Sequence, residues 1–267
     1  MSHESIIQQA AQYLAQRYKA REPLDIMLQD FAPTTIADAY RVQDAFLSLL
    51  GQDKGRLDGY KIAYTSDEMR RLRGISSPCA GGMFASTIQD APATFRSADY
   101  VGLAIECEVA VRFGADVPAA QAPYSRASLA NYIEFLAVAF EMVDFRGGAA
   151  GTEPDATAIA GICTNISNAG AVLGPAVRDW RGIDLAAARG VMRINGTQVG
   201  EGRGADVMGH PLEPLAWLAN MLAERGKELQ AGMTVITGSI IPPKPVKAGD
   251  QATIAIDGLG EAHVTIL

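Results

Sequence analysis

Residues 103–113 read LAIECEVAVRF, and their apolar and polar side chains alternate with a period of two. This period predicts a β-strand with two different faces. Glu106 and Glu108 share one face between the small residues Ala104 and Ala110, with their Cα atoms roughly 6–7 Å apart. Two carboxylates at that spacing can converge on one ion, and the small neighbours leave room for a ligand. The same pair is also typical of the solvated face of an edge strand, so it does not decide between the two interpretations alone.

A second run places another acid in apolar surroundings. Residues 137–146 read AVAFEMVDFR, which indicates a strand that carries Glu141 in its middle. An acid in such a run is costly to bury unless it is paired, protonated or bound to a cation. Three carboxylates from two strands offer the oxygen ligands that suit a hard divalent ion. The sequence therefore predicts that Glu106, Glu108 and Glu141 hold Mg²⁺ or Mn²⁺.

Length and charge limit the classes of function. The 267 residues suffice for one large domain, or for one domain with a smaller appendage. A net charge of −7 without a basic cluster argues against nucleic-acid binding, because phosphate contacts need a positive surface. No apolar run approaches the length of a membrane span, and the N-terminal residues lack the pattern of a secretory signal. The cysteines at 79, 107 and 163 are widely spaced and odd in number, which favours a reducing cytoplasm over a disulfide framework.

Two helices are predicted before the first strand. Residues 4–21 carry apolar side chains along one helical stripe. Thr35 fits the N-cap of a second helix, with Asp38 in its first turn and Gly51 at its end. We therefore expect residues 1–55 to form a small N-terminal helical subdomain and residues 56–267 to form a β-rich catalytic domain.

The remainder of the chain is dominated by strand signals. Helices are predicted near residues 126–136 and at 212–225, a two-residue hairpin at Asn195-Gly196, and a loop at residues 242–245. Because few helices separate the strands, the pattern favours an α+β fold with a mixed, strongly curved β-sheet or barrel-like roll over a doubly wound fold. Strands are predicted at residues 59–64, 103–113, 138–145, 169–174, 190–194, 234–237, 251–256 and 261–266.

Polar residues interrupt or follow two of these strands. Lys61 lies within an apolar strand, where a half-buried lysine is either a salt-bridge partner or an anion receptor. Thr65 and Ser66 stand where that strand gives way to a short helix, and their hydroxyls and backbone N–H groups can hold a carboxylate. Thr237 and Ser239 flank a glycine at the end of another strand and offer further hydroxyls. Ordinary capping and turn chemistry is the alternative for both pairs of hydroxyls.

Several stretches in a fixed order resemble one known family. Residues 59–66, GYKIAYTS, are similar to the Gly-Trp-Lys-Ile-Gly-Leu-Thr-Ser stretch of bacterial 2-keto-4-pentenoate hydratases and of the related 4-oxalocrotonate decarboxylases. Both belong to the fumarylacetoacetate hydrolase superfamily. The Glu-Cys-Glu at 106–108 resembles that superfamily's metal-binding Glu-x-Glu, and residues 139–146 resemble the segment that supplies the third acidic ligand. Further matches lie at residues 165–167, 217–220, 229–232 and 237–239, so that the resemblance covers roughly residues 36–267.

The resemblance implies a fold like the C-terminal domain of fumarylacetoacetate hydrolase and a metal-dependent hydratase. Such an enzyme adds water to a 2-hydroxy-2,4-dienoate (a 2-oxo-enoate) in the catabolism of aromatic compounds. The resemblance also implies Mg²⁺ or Mn²⁺ at the three acids, a homo-oligomer, and Lys61 as a catalytic residue. The implied substrate-binding residues are Thr65, Ser66, Ser167, Thr237 and Ser239. The alternatives are a 4-oxalocrotonate-type decarboxylase, an acylpyruvate carbon–carbon hydrolase and a non-catalytic binding protein.

The chain departs from the family pattern at two positions. Where the hydratases usually carry Pro-Asp-Phe-Gly, Cys79 takes the place of the acid, and Thr164 stands where an aspartate usually precedes asparagine. The aspartate at the first position is thought to take part in proton transfer in the family. Its replacement therefore concerns the reaction rather than the metal site.

Overall fold

The described part of the chain forms six α-helices and twelve β-strands. The computed structural model describes residues 3–72, 74–147 and 154–267. The helices are α1 (His3–Lys19), α2 (Ile36–Lys54), α3 (Asp67–Leu72), α4 (Arg126–Leu129), α5 (Pro154–Cys163) and α6 (Glu213–Glu224). The strands are β1 (Leu57–Ala63), β2 (Cys79–Phe84), β3 (Ile88–Asp90), β4 (Ala93–Phe95), β5 (Leu103–Phe113), β6 (Ile133–Asp144), β7 (Asn168–Leu173), β8 (Arg189–Ile194), β9 (Thr197–Arg203), β10 (Thr234–Pro245), β11 (Gln251–Ile256) and β12 (Gly260–Ile266).

Seven strands form the main sheet, in the order β2-β1-β10-β5-β6-β7-β3. β5 lies at its centre and is antiparallel to both β10 and β6, whereas β1 is parallel to β10 and β3 is parallel to β7. The stretch LAIECEVAVRF is β5, and it pairs with β6 from Leu103 opposite Asp144 to Phe113 opposite Ile133. The main sheet is mixed and curls into a half-barrel, so the predicted α+β fold class is confirmed.

Alternation within β5 and β6 gives the main sheet two unlike faces. On one face, Cys107, Val109 and Phe140 are buried in a large apolar core. This core continues into the second sheet, of order β4-β12-β11-β8-β9, through residues such as Ile254. The opposite face carries Glu106 and Glu108 of β5 and Glu141 of β6 among alanines. Because alanine fills little volume, this second face has the space that a ligand needs.

The N-terminal helices form another core together with α5 and β2. Leu14 of α1, Phe46 of α2 and Ile162 of α5 belong to one cluster of buried side chains. Thr35 is the N-cap of α2, and its hydroxyl accepts a hydrogen bond from the backbone N–H of Asp38, as predicted. Since β2 borders β1, these helices buttress the edge of the main sheet. Among the described helices, none is long and apolar enough to cross a membrane.

Most predicted elements are found close to their predicted bounds. They include α1, α3, α6 and the strands β1, β7, β8, β11 and β12. The hairpin at Asn195-Gly196 joins β8 to β9, and both residues have positive φ angles, 51° and 79°. Such angles are those that a tight two-residue turn between antiparallel strands requires.

Three predicted elements differ from the structure. α2 passes through Gly51 and ends at Lys54, because Gly55 has the positive φ (81°) that terminates the helix. The helix predicted near residues 126–136 is limited to α4 and one 3-10 turn, since residues from Ile133 onward pair with β5. Residues 242–245, predicted as a loop, continue β10. Their pairing with β5 is irregular, which suits prolines because they cannot donate to a regular ladder. Three short strands (β2, β3, β4) and α5 have no counterpart among the predicted elements.

Candidate active site

The pairing of β5 with β6 gathers three carboxylates on the alanine-rich face of the main sheet. Glu106 lies directly opposite Glu141, and Glu108 is the next residue of β5 on the same face. One carboxylate oxygen from each of the three lies within 4.8 Å of the others. Glu108 and Glu141 are fully buried, whereas Glu106 is partly exposed. The structure therefore brings the three sequence-predicted metal ligands to one point, with Glu106 nearest the solvent.

Hydrogen bonds and one ion pair hold two of these carboxylates. The ammonium of Lys61 lies 2.9 Å from Oε1 and 3.1 Å from Oε2 of Glu141, and Asn168 Nδ2 donates to the same Oε1 at 2.9 Å. The backbone N–H of Gly238 donates to Glu108 Oε2 at 2.8 Å. Lys61 comes from β1 and Glu141 from β6, three strands away in the sheet, so the two side chains meet because the sheet is curled into a half-barrel. The predicted alternative of a salt bridge for Lys61 is thus realised, with a candidate metal ligand as its partner.

A glycine on β10 lets two elements approach the carboxylates closely. Gly238 has a φ of 116°, which L-residues rarely adopt. A Cβ at this position would lie 2.6 Å from the side chain of Thr65. The missing side chain therefore leaves room for Thr65 on one side while the Gly238 N–H binds Glu108 on the other.

Burial and mutual repulsion shift the ionisation of the cluster. Burial, followed by the charge of Glu141, raises the pKa of Glu106 to about 7. The pKa of Glu108 is raised well above its ordinary value by burial and by the charges of Glu141 and Glu106. Burial alone would lower the pKa of Lys61, but the charges of the three carboxylates outweigh it and raise the pKa above that of an ordinary lysine. The metal-free cluster consequently retains protons at neutral pH.

The donor set fits a divalent cation on two counts. Glu108 Oε1 is buried and has no hydrogen-bond partner among the described residues, and such an unpaired carboxylate oxygen is costly. When all three carboxylates are ionised, the single ammonium of Lys61 leaves two negative charges, which one divalent ion would neutralise. Clustered carboxylate oxygens are the ligands that hard ions such as Mg²⁺ and Mn²⁺ take. Glu106, Glu108 and Glu141 are the residues that could hold this ion.

A cavity of about 630 Å³ opens from the carboxylate cluster. Lys61 and Glu106 line its inner end, and four of the five predicted substrate-binding residues line its walls: Thr65, Ser66, Ser167 and Ser239. Thr237 is placed differently. Its hydroxyl is fully buried and donates to the Val109 carbonyl at 3.2 Å, so this side chain helps to join β10 to β5 rather than to shape the cavity.

A strained turn carries part of the cavity wall. Asn165, Ile166 and Ser167 have consecutive positive φ angles of 56°, 50° and 56°, a conformation that costs about 1–2 kcal/mol for each L-residue. The Asn165 side chain stabilises the turn, because its Oδ1 accepts from the Gly82 N–H at 2.7 Å and its Nδ2 donates to the Gly82 carbonyl at 2.9 Å. The turn directs Ile166 and Ser167 toward the cavity. Backbone strain of this kind is concentrated at functional sites.

Two further residues of the site were not among the site residues predicted from the sequence. Asn168, which orients Glu141, follows the predicted 165–167 motif directly, so its place beside that motif is the signal that could have identified it. Tyr64 also lines the cavity and has a positive φ of 59°, which is exceptional for a bulky residue. Its position between Lys61 and Thr65 in the GYKIAYTS stretch was the available signal.

The two departures from the family pattern lie in different places. Thr164 lines the cavity, where its hydroxyl donates to the Ala160 carbonyl at 2.9 Å. Cys79 lies on β2 opposite Ala63 and lines a neighbouring cavity instead, together with Tyr40. Burial raises the pKa of the Cys79 thiol to about 12, so this residue is a neutral thiol at physiological pH.

The sequence is similar to a known protein family and to several proteins that are named as hydratases. The family model described as fumarylacetoacetate (FAA) hydrolase C-terminal matches residues 84–267. The 2-hydroxyhexa-2,4-dienoate hydratase of Comamonas testosteroni is 29% identical, over 99% of this chain and 98% of the relative. The 2-oxo-hept-4-ene-1,7-dioate hydratase of Escherichia coli is 29% identical, over 94% of each chain.

The solved structures include a similar fold along the whole chain. The 4-oxalocrotonate decarboxylase from Pseudomonas putida G7, complexed with magnesium and adipate, has a TM-score of 0.89 and 26% sequence identity. The match covers 100% of this chain and 99% of the decarboxylase. The arrangement of helices and sheets described above is therefore shared with that protein over its full length.

Proposed function

This chain belongs to the fumarylacetoacetate hydrolase family, and from that premise we propose that it is a divalent-metal-dependent hydratase of a 2-hydroxy-2,4-dienoate, acting in the catabolism of aromatic compounds. One observation carries the proposal: three carboxylates and Lys61 meet at the inner end of a cavity whose walls offer hydroxyls. The full-length similarity to relatives that are named as hydratases supports the same reaction class.

The metal proposed for Glu106, Glu108 and Glu141 is Mg²⁺ or Mn²⁺. When bound, it would supply a Lewis acid at the 2-oxygen and one carboxylate oxygen of the substrate, and so stabilise the negative charge that develops when a proton moves. Glu108 and Glu141 are fixed by the Gly238 N–H and by Asn168, so the protein presents a preorganised donor set.

The chain's own residues bind the substrate and handle its protons. Ketonisation moves one proton from the 2-hydroxyl to C5 of the dienoate, after which water adds its hydroxyl at C4 and a proton at C3. Lys61 lies on the cavity wall beside the candidate ligands, and the charges of these carboxylates raise its pKa. A bound divalent ion would offset those charges and lower the pKa of the ammonium, which would allow Lys61 to donate a proton and take one back within the same turnover. The hydroxyls of Ser66 and Ser167 line the cavity, where they can hydrogen-bond the substrate's oxygens and orient its chain. Ser239 also lines the cavity, but its hydroxyl donates to the Ile241 carbonyl and would have to release that bond to donate to the substrate.

A 4-oxalocrotonate-type decarboxylase is the second candidate. The structural likeness to the decarboxylase from Pseudomonas putida G7 along the whole chain favours it. In that reaction the electrons left by departing CO₂ would be accepted by the same 2-oxo group, so both candidates require the same carboxylate cluster.

The proposal includes the setting of the enzyme. We expect a homo-oligomer in the cytoplasm, where thiols stay reduced. The three cysteines support this expectation, because all of them are free and buried rather than paired in disulfides.

Turnover of 2-hydroxypenta-2,4-dienoate tests the proposal. With Mg²⁺ or Mn²⁺ we expect loss of the ultraviolet band of the dienoate without release of CO₂, and no reaction in the presence of a chelator. Release of CO₂ from 4-oxalocrotonate together with inertness toward the dienoate would instead establish the decarboxylase.

Two variants of one strand make the assay specific for the carboxylate cluster. Glu141→Gln removes a candidate ligand and should abolish turnover. Glu134→Gln is the matched control, because Glu134 lies on the same strand but is exposed and pairs with Arg178 at 2.6 Å. Equal activity of the two variants would contradict the assignment of Glu141.

A further inference from the structure

Among the described residues that line the substrate cavity, acidic side chains outnumber basic ones. Among the described residues of the lining, Lys61 is the one cation, whereas Glu68, Glu106, Glu201 and Asp206 are acids. Of the residues outside the described ranges, only one has a cationic side chain, the arginine at position 73. The cavity therefore offers positive charge at one end and negative charge over much of the rest.

The single cation, Lys61, lies at the inner end of the cavity, where it is paired with a carboxylate. Lys61 is only 4% exposed, and its ammonium contacts both oxygens of Glu141. A carboxylate bound near the metal ligands can share this charge. A second carboxylate, several carbon atoms farther along the substrate, would have no cation of its own on the described walls.

Part of the cavity wall is apolar, and acidic side chains line the same cavity. Val143 of β6 and Phe145, just after the end of that strand, line the cavity together with Ile240 and the Pro242-Pro243 pair of β10. These side chains provide a hydrocarbon surface, and Phe145 is 50% exposed although it lines the cavity.

Two of the acids at the border are held in place by neighbouring groups. Glu201 pairs with Arg189 at 2.5 Å, and Asp206 Oδ2 accepts from the Arg203 backbone N–H at 2.7 Å. Since Asp206 is bound through a backbone amide, its negative charge is not cancelled by that contact. Arg189 offsets the charge of Glu201, so a negatively charged tail that passed the apolar wall would chiefly meet the fixed carboxylate of Asp206, which has the same sign.

We propose that the substrate is a monocarboxylate with an uncharged hydrocarbon tail, and that the wall formed by Val143, Phe145 and Ile240 with its acidic border excludes the homologous dicarboxylates. The inference rests on the proposed function and narrows its substrate class. A tail carboxylate would lose its hydration on this wall without gaining a cation, and like charges at the border would repel it. Family membership does not decide the matter, because the similar hydratases named above include one of a monoacid and one of a diacid.

Paired substrates test the selectivity in the Mg²⁺-loaded protein. We expect kcat/KM for 2-hydroxyhexa-2,4-dienoate to exceed that for 2-hydroxyhepta-2,4-diene-1,7-dioate by about 100-fold or more, as desolvation and repulsion of a second charge predict. Phe145→Arg places a cation on the outer wall and should raise the ratio of diacid to monoacid kcat/KM by about tenfold or more. Phe145→Gln is the matched neutral variant: it removes the apolar ring without adding a charge, and it should raise the ratio less than Phe145→Arg does. Equal kcat/KM for the two substrates, or equal effects of the two variants, would overturn the inference.

A binding measurement separates this inference from the proposed reaction. Calorimetric titration with 2-oxohexanoate and with 2-oxohexanedioate in Mg²⁺ should show the monoacid binding at least about tenfold more tightly. If neither dienoate is turned over but the monoacid still binds preferentially, the hydratase proposal fails and the inference stands. Binding of the diacid with equal or greater affinity, or binding of neither acid, overturns the inference itself.

Discussion

Replacing Lys61 with methionine removes the cation from the carboxylate cluster while keeping an unbranched side chain. In the metal-free protein the ammonium lies 2.9 Å from Glu141 Oε1, and both partners are almost completely buried. Removing one partner of a buried ion pair costs about 3–5 kcal/mol, because the other charge stays buried without compensation. We therefore expect Lys61→Met to lower the free energy of unfolding of the metal-free protein by about 3–5 kcal/mol.

The same variant should bind the metal more tightly. An ammonium and a divalent ion about 5 Å apart repel by about 6 kcal/mol at an effective dielectric constant of 20. Lys61 can move away when the ion enters, so only part of this repulsion is present in the unmodified protein. We expect the Mn²⁺ affinity of Lys61→Met to rise by about tenfold or more, even though turnover is lost.

Urea unfolding with EDTA and with saturating Mn²⁺, together with calorimetric Mn²⁺ titration, measures both effects. Saturating Mn²⁺ should restore most of the stability that Lys61→Met loses in EDTA. Lys227→Met is the control, because Lys227 pairs with Asp44 at the surface and its removal should cost less than about 1 kcal/mol. A stability loss no larger than that of the control, or weaker Mn²⁺ binding, would refute this account of Lys61.

Three other perturbations follow from the geometry. The pKa of Glu106 is raised from 4.5 to about 7, so between these pH values the folded metal-free protein binds more protons than the unfolded chain. Denaturant unfolding in EDTA should therefore show the free energy of unfolding falling by about 3 kcal/mol from this group alone as pH rises through this window. Saturating Mn²⁺ should abolish the fall. Asn168→Ala removes the amide that orients Glu141, and calorimetry should show metal affinity about 10–100-fold weaker while an unchanged affinity would contradict that role. Gly238→Ala should lower the free energy of unfolding by more than about 2 kcal/mol, because its φ is 116° and a Cβ there would clash; Gly182→Ala, whose Cβ meets nothing within 4 Å, is the control, and equal losses would argue against the close approach.

The central strands were predictable because their chemistry is periodic. β5 alternates over its whole length, and the apolar run around Glu141 is long enough to indicate a strand without any tertiary information. β2 carries Gly81 and Gly82, which have weak strand preference, so its conformation depends on pairing with β1. The prolines at 242–245 favour a loop locally, yet tertiary pairing extends β10 through them.

In the candidate site, too, some residues could be predicted from local sequence, whereas others depend on strand pairing. Alternation placed Glu106 and Glu108 on one face, and burial cost identified Glu141, so the carboxylate cluster was accessible from residue types alone. The role of Asn168 depends on the register between β6 and β7, which shifts between Met142 and Val143, and no local pattern encodes that register. Thr237 was assigned from its hydroxyl, but the direction of that hydroxyl is set by the pairing of β10 with β5.

The account depends most on the joint use of the three carboxylates, and an anomalous difference map from a crystal grown with Mn²⁺ and pyruvate tests this directly. We predict one Mn²⁺ peak that lies roughly 2.0–2.4 Å from a carboxylate oxygen of each of Glu106, Glu108 and Glu141, with pyruvate completing the coordination. A peak bound by fewer than two of these side chains, or the absence of Mn²⁺ from the cluster at saturating concentration, would contradict it.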